Sequence, residues 1–238
     1  MYSNQTLKKM KKIFFICVLL LSYSIKAQST ITKNIGDFST LKVYNGIELE
    51  LIKSNTQKLE ITGEKSDKVK IKSVNNTLKI SLQFSLKPSD NAANGKVLVK
   101  LFYTNNIAII DANEGATITG KDLIQEKLEV NAQERAFINL TTKLSSLKVR
   151  TSSGGIVKLS GTAKNQDVDL DLYGIYHGYN MKVSGNTSVK AGTGAKAEIL
   201  GGETLNAKVS FGGSIFYKGN PKVIKDKKVI GGIIQKRS

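Results

Sequence analysis

The stretch LKVRTSSGGIV, residues 147–157, contains the pattern that decides the fold. Apolar and polar side chains alternate over its first four residues, which is typical of a β-strand with one buried side. A small-residue turn follows, and a second alternation begins. Such turns recur at starting positions 115, 135, 154, 174, 194, 212 and 231, with spacings of 20, 19, 20, 20, 18 and 19 residues. So regular a period predicts a β-solenoid whose rungs of about 19–20 residues stack on one another.

A strand precedes each turn, so the outward residues of successive rungs form columns. We expect neighbouring rungs to lie ~4.8 Å apart, and we place the fourth turn at Ile175 rather than Gly174 to keep the alternation in phase. Charges of opposite sign then meet along part of each column and contribute roughly 0.2–1 kcal/mol per pair. The predicted columns are Glu129, Lys148, Asp169, Ser188 and Asn206, and Asn131, Arg150, Asp171, Lys190 and Lys208.

The earlier part of the mature chain also has the pattern of strands. Runs with period two, bounded by Asn, Gly, Ser or Asp, recur between residues 41 and 101 on either side of a loop at 88–95, and no segment keeps a helical period for three turns. We predict an all-β protein in which residues 28–105 form an N-terminal β region that packs on or caps the rungs of residues 106–238. Residues 28–238 would form one continuous domain. Its terminal rungs would have unpaired edges, so capping or self-association is expected.

Residues 1–27 have the order of a secretory signal peptide. Four lysines at positions 8–12 precede an unbroken apolar run at 13–21, and Ala27 ends the predicted cleavage site. The apolar run is too short to span a bilayer. We therefore predict export to the periplasm, the cell surface or the medium, without a transmembrane span. Cys17, the one cysteine of the chain, lies inside the apolar run, so the mature chain would contain none.

The charge of the chain favours anionic partners. It has 36 Lys and Arg against 19 Asp and Glu, and removing five lysines with the leader lowers the net charge from +17 to +12. Acidic glycans and envelope or surface components are therefore the expected partners, although lysines also suit the solvated faces and edges of a sheet. Three arginines are too few for specific nucleic-acid recognition, so no nucleic acid is predicted. One His and one Cys exclude multi-His and Cys-based metal sites, and no cofactor is predicted.

Asp167, Asp169 and Asp171 are the weak candidates for a metal site. Their spacing places three carboxylates on one side of a strand, as a Ca²⁺ site or a pair of catalytic carboxylates would need. In the predicted register, however, Asp169 neighbours Lys148, and Asp171 lies between basic residues. Because those cations neutralise the carboxylates and compete with a metal, we favour a structural role and predict no metal site.

An aromatic turn at residues 173–179 is the candidate ligand-binding site, with Tyr173, Tyr176, His177 and Tyr179 as its residues. Tyr rings can stack on sugar rings, and the one His of the chain could act as an acid or base. Loops of solenoids often carry function, but Tyr also packs well on exposed sheets. No carboxylate-rich strand is aimed at His177, so no catalytic residue is predicted.

Three segments resemble the exported bacterial family described as putative auto-transporter adhesin, head GIN domain. They are FSTLKVYNGIELEL at 38–51, VNNTLKI at 74–80 and IFYKGNP at 215–221, and the resemblance extends over residues 36–234. It implies a right-handed parallel β-helix, an exported or surface location and an adhesive role, and it supplies no catalytic residues. The chain departs at Arg135, where Gly is usual and a positive φ is expected, and at the aromatic turn.

Three functions are therefore open. The first is a non-enzymatic adhesin or cell-envelope interaction module that binds through its extended faces. The second is a polysaccharide-binding or polysaccharide-degrading β-helix, which Ala at Asp169, Asp171 and His177 would inactivate if an activity exists. The third is a structural or signalling module of the periplasm. We favour the first, although the fold alone decides none of them.

Overall fold

The computed structural model describes residues 30–238, so the predicted signal peptide and cleavage at Ala27 lie outside the described residues. This part of the chain is almost entirely β, with single 3₁₀ turns at Ser66–Lys68 and Pro88–Asp90. Neither is long and apolar enough to cross a membrane. In chain order the strands are β1 (Ile31–Asn34), β2 (Thr40–Val43), β3 (Glu48–Lys53), β4 (Lys58–Thr62), β5 (Val69–Val74), β6 (Thr77–Leu82), β7 (Leu98–Tyr103), β8 (Ile109–Ala112), β9 (Thr117–Ala132), β10 (Phe137–Thr151), β11 (Ile156–Leu170), β12 (Ile175–Val183), β13 (Asn186–Ala191), β14 (Lys196–Leu200), β15 (Thr204–Ser210), β16 (Ser214–Lys218), β17 (Val223–Val229) and β18 (Ile233–Lys236).

The three longest strands show how the rungs stack. β10 pairs in parallel with β9 on one side and with β11 on the other, so Ile138 lies between Ile118 and Val157. All three side chains are fully buried. From β11 onward each rung is split, because the first half of β11 pairs with β12 and its second half with β13. The result is a β-solenoid of about seven turns with rungs of ~19 residues, which confirms the predicted fold.

Each rung has two outer faces. The first face is the outward side of residues 117–120 and of the segments in register with them, up to β18. The second face is the outward side of residues 128–132 and of the segments in register with them, up to β17. Alternate side chains of every strand point inward, so one apolar core runs through the stack from β2 to β16.

Residues 30–105 extend the stack and add antiparallel strands beyond it. β2 pairs in parallel with β8 and with β6, and β3 with β9 and with β7, which continues both faces. The antiparallel pairs are β1 with β4, β4 with β7, and β5 with β6. Leu59 and Ile80 from this region are fully buried in the common core. At the opposite end, within residues 30–238, β17 pairs only with β15 and β18 only with β16, so the last rung has an open edge.

Most turns between rungs contain two consecutive residues with positive φ. Ser153 and Gly154, for example, have φ values of 50° and 73°. Glycine adopts this conformation without strain, whereas an L side chain is disfavoured there by its Cβ. Arg135 nevertheless has a φ of 62°, so this turn keeps the positive-φ geometry although glycine is absent.

The fourth turn lies earlier than predicted. Leu172 and Tyr173 occupy its positive-φ positions, with φ values of 43° and 63°, so a turn at Gly174 or Ile175 is wrong. Glycine is required at position 174 for a steric reason, not for a positive φ. A Cβ added to it would lie 2.1 Å from Oγ1 of Thr151 on the preceding rung, so only a residue without a side chain fits there.

This earlier turn changes the charge columns of the second face. Asp167, not Asp169, is in register with Lys148. Partners on β10 and β11 are 19 residues apart in the sequence, whereas the predicted pairing of Lys148 with Asp169 needs 21. Asp169, not Asp171, lies beside Arg150. Opposite charges still alternate along part of each column, although the predicted neighbours of the aspartates are wrong. The columns are Glu129, Lys148, Asp167, Ser188, Asn206 and Lys225, and Asn131, Arg150, Asp169, Lys190, Lys208 and Lys227.

Candidate functional site

The structure distributes the four residues of the aromatic turn over three surroundings. Tyr173 lies in the fourth turn, exposed, with its ring beneath Gly194 of the next turn. Tyr176 points into the core and is fully buried. His177 and Tyr179 are half-buried on the first face, along β12. Only His177 and Tyr179 of this set are therefore brought together where a ligand could reach them.

Tyr176 enters the core in register with the buried Val157 of β11, and a β-bulge follows it in β12. The register with β11 shifts between the pairs Lys158–His177 and Ser160–Asn180, so β12 contains one extra residue at this point. A bulge of this kind re-aims the side chains beside it. Gly178 lies in the bulge, and a Cβ added to it would come within 2.5 Å of the Tyr176 ring. Glycine at 178 therefore makes room for the ring.

His177 pairs with a carboxylate from the next rung. It is in register with Glu198 on β14, and its Nδ1 donates to Oε2 of Glu198 over 2.7 Å. Lys196 binds the other carboxylate oxygen. Burial alone would raise the pKa of Glu198, but the hydrogen bonds from Lys196 and His177 outweigh it and hold this pKa below its usual range. The carboxylate is therefore ionised at neutral pH, paired with the ammonium of Lys196 and hydrogen-bonded by His177.

Aromatic rings on the same face are covered by cations of the chain itself. Phe216 is in register with Glu198, and the Cζ of Arg237 lies 4.4 Å from the centre of its ring. The Nζ of Lys218 lies 5.2 Å from the ring centre of Tyr179. These are cation–π distances. A sugar would have to displace a cation in order to stack on either ring, whereas the free N–H groups of these cations can bind an anionic group.

We name this cluster the aromatic–basic face and define it as His177, Tyr179, Lys196, Glu198, Phe216, Lys218 and Arg237. Sequence reasoning found only its first two members, since the others follow on later rungs. The glycine-marked turns are the signal that could have found them, because they give the approximate offset from rung to rung. That offset is 21 residues from His177 to Glu198 and 18 from there to Phe216.

The three candidate aspartates do not converge on one point. Asp167 and Asp169 point outward from β11, each in register with a basic residue of the preceding rung. Asp171 follows the strand, and its Oδ1 accepts the backbone N–H groups of Leu172 and Thr193 at 2.9 and 2.8 Å. These hydrogen bonds lower the pKa of Asp171, so the carboxylate has a structural use in joining two turns. Within residues 30–238 no group of three His, Cys, Asp or Glu residues could hold a metal ion.

Replacing Glu198 by Gln is expected to lower the free energy of unfolding at neutral pH by about 1 kcal/mol, because charge-assisted hydrogen bonds are lost. The pKa of Glu198 is lowered by folding from its ordinary value of 4.5. Its contribution is therefore complete above pH 4.5 and is lost as the pH falls through the lower value of the folded state. Urea unfolding of both proteins, at neutral pH and well below pH 4.5, measures this difference.

Glu203→Gln is the matched control for this prediction. Glu203 also pairs with one lysine, Lys222, at 2.8 Å, but both side chains are exposed. Exposed pairs contribute little, so this variant is expected to unfold like the parent. An equal loss in both variants, or a loss in Glu198→Gln that persists unchanged in acid, would contradict the role given to Glu198.

Comparison with protein families shows to which family the chain belongs. The family model described as putative auto-transporter adhesin, head GIN domain, matches residues 37–221. The chain belongs to this family. The match confirms the resemblance drawn from residues 38–51, 74–80 and 215–221. No curated protein sequence matches the chain.

Solved structures of bacterial proteins share the fold of this family member. A putative adhesin from Bacteroides fragilis NCTC 9343 has a TM-score of 0.78 at 20% identity, over 90% of this chain and 98% of its own. A putative adhesin from Parabacteroides merdae ATCC 43184 has a TM-score of 0.64 at 19% identity, with the same coverage of 90% and 98%. A putative lipid binding protein from Parabacteroides distasonis ATCC 8503 has a TM-score of 0.65 at 16% identity, again over 90% and 98%. At these identities the likeness shows the fold.

Proposed function

We propose that the chain is an exported, non-enzymatic β-solenoid that acts in adhesion or in contacts with cell-envelope components. The observation that carries this proposal is the pair of continuous outer faces, in which outward positions align from rung to rung over about seven turns. A repeated surface binds a repeated partner through many weak contacts, so avidity replaces one deep pocket. Membership of the adhesin family supports the same function.

We infer that the ligands are anionic, with acidic glycans as the first class to test. The aromatic–basic face supports this inference, because lysine and arginine side chains cover its rings and their N–H groups can bind an anionic group. His177 and Tyr179 are the members of the sequence-predicted site that remain in this proposal. Nothing in the described residues favours the polysaccharide-degrading alternative, since the carboxylate bonded to His177 is itself paired with Lys196.

Protease treatment of intact producing cells tests the location on which this function depends. We expect the protein to be degraded while a periplasmic marker survives, because an adhesin must reach the cell exterior. Degradation would be followed by glycan arrays probed with the purified protein. Survival of the protein together with the marker would contradict adhesion and direct the search to partners inside the envelope.

A further inference from the structure

Large apolar residues occupy the first positive-φ position of three turns on the C-terminal half of the solenoid. Leu172, Phe211 and Ile230 have φ values of 43°, 48° and 53°. Their side chains are 47%, 58% and 69% exposed. We name these three residues the apolar turn edge. On the preceding rungs the same turn position holds polar residues, namely Asn45, Glu114, Glu134 and Ser153.

The positive φ and the exposure to water are both unfavourable for these three apolar residues. A positive φ is uncommon for any residue with a Cβ and is a marked outlier for a β-branched one such as Ile230. Asn and Gly adopt it readily, as they do at Asn45 and Gly46, where φ is 61° and 66°. Strained and exposed apolar positions of this kind are found where a surface serves a function.

Three lysines run along the second face beside this edge. Lys190, Lys208 and Lys227 are in register on successive rungs, so neighbouring ammonium groups repel one another. Among residues 30–238 none of the three has a carboxylate oxygen within 4.0 Å. We name them the lysine ladder. A groove of about 260 Å³ joins the two features, and its lining includes Lys190, Lys208 and Phe211, together with Asp169 and Asp171.

Charge is concentrated at this end of the protein. Residues 186–238 contain ten Lys and Arg against three Asp and Glu. Lys225, Lys227 and Lys228 lie on β17, the open edge strand. Lysines on an edge strand oppose pairing with a second copy of the same strand. The combination of exposed apolar residues and unpaired lysines therefore fits an apolar and anionic surface better than it fits self-association.

We propose that the apolar turn edge and the lysine ladder dock the protein on an anionic lipid bilayer. Leu172, Phe211 and Ile230 enter the boundary between headgroups and acyl chains, and the lysines lie against lipid phosphates. Insertion into the bilayer removes the exposed apolar side chains from water, which stabilises the bound state. This inference rests on the proposed envelope location, but not on adhesion to glycans.

Vesicle flotation of residues 28–238, which include all the strands described above, tests the docking. We expect binding to vesicles of phosphatidylcholine mixed with phosphatidylglycerol, little binding to phosphatidylcholine alone, and loss of binding as salt is added. The triple variant L172N/F211N/I230N is expected to bind at least about tenfold more weakly, as the loss of three apolar anchors requires. The double variant K208Q/K227Q is expected to weaken binding to the anionic vesicles alone.

Two control variants distinguish binding by the apolar turn edge and the lysine ladder from the general effect of exposed apolar residues and positive charge. F84N/L86N/I124N removes three exposed apolar residues elsewhere, and K121Q/K143Q removes two exposed lysines elsewhere. Both are expected to bind within about twofold of the parent, since only surface away from the docking edge changes. Because Asn tolerates a positive φ, L172N/F211N/I230N should melt no lower than the parent, so weaker binding cannot come from misfolding.

Three outcomes would overturn the docking. They are equal binding of L172N/F211N/I230N and the parent, equal losses in the controls, and binding to dextran sulfate without binding to any vesicle. Each leaves the adhesin proposal intact, because that proposal is decided by protease access and glycan arrays. Conversely, if the protein on intact cells were protected from protease but the purified protein still bound vesicles, adhesion would be contradicted and the docking would stand.

Discussion

Tyr176→Ala is expected to destabilise the protein by about 3–5 kcal/mol, the range for truncating a buried aromatic residue to Ala. Tyr176 is the largest fully buried side chain in residues 30–238. Its ring fills the interior between Val157 on one neighbouring rung and Ala197 on the other, and Ala would leave a cavity there. Equilibrium unfolding in urea, followed by far-UV circular dichroism, measures the loss.

Tyr176→Phe is the control that separates the ring from its hydroxyl. The hydroxyl donates to Oε1 of Gln166 over 3.3 Å, and Nε2 of Gln166 donates to Oγ1 of Thr187 over 3.2 Å. Burial raises the pKa of Tyr176, so the hydroxyl keeps its proton and remains a donor. Removing it is expected to cost about 1–2 kcal/mol, since Gln166 is left without one partner. A Tyr176→Ala protein of parental stability that had lost a ligand would instead place this residue in a binding site.

The position of Tyr176 shows where sequence reasoning reached its limit. Period-two alternation and recurring small-residue turns predict the strands, the rungs and the solenoid, because one repeated unit is read many times. The direction of Tyr176 depends on the phase of a single rung. That phase is set by a turn at Leu172 and Tyr173, two residues that favour no positive φ. Sequence reasoning therefore started from the following glycine and placed the turn at Ile175.

The same limit applies to the surfaces. The lysine ladder could be read in part, since Lys190 and Lys208 fall in one predicted column and one column of the structure. The pairing of His177 with Glu198 could not be predicted from the sequence. The bulge in β12 lengthens that rung by one residue, and no residue pattern indicates a bulge. Offsets between rungs vary from 18 to 21 residues here, and an error of one residue turns a side chain to the other side of its strand.

The departures from the repeat are also where the surface chemistry changes. Up to the third turn the turn edge carries Glu114, Glu134 and Ser153. The fourth, sixth and seventh turns carry Leu172, Phe211 and Ile230 there, and the fifth carries Thr193. The bulge lies on the same fourth rung, directly after His177 on the first face. A stack of equal rungs provides the support, and the rungs that deviate carry the groups to which we assign partner recognition.

Gly161→Ala is expected to lower stability by about 3 kcal/mol or more, because two separate penalties act at this position. The φ of Gly161 is +115°, which an L side chain rarely adopts, and an added Cβ would lie 1.9 Å from the backbone oxygen of Thr142. Thr142 is the register partner of Gly161 on β10. β10 and β11 would have to separate in the middle of their longest pairing, so the carbonyl cannot simply move aside as a flexible side chain would.

Gly115→Ala isolates the conformational part of that loss. Gly115 has a φ of +72°, and an added Cβ would meet no atom within 4 Å, so only the cost of about 1–2 kcal/mol for a left-handed residue is expected. Because each rung of a solenoid contacts only its neighbours, hydrogen exchange should show the damage of Gly161→Ala first in β10 and β11, with β5 and β6 still protected. If both variants lost the same stability, β10 and β11 would relax around the new methyl group, and the close approach at Thr142 would not be a constraint on the fold.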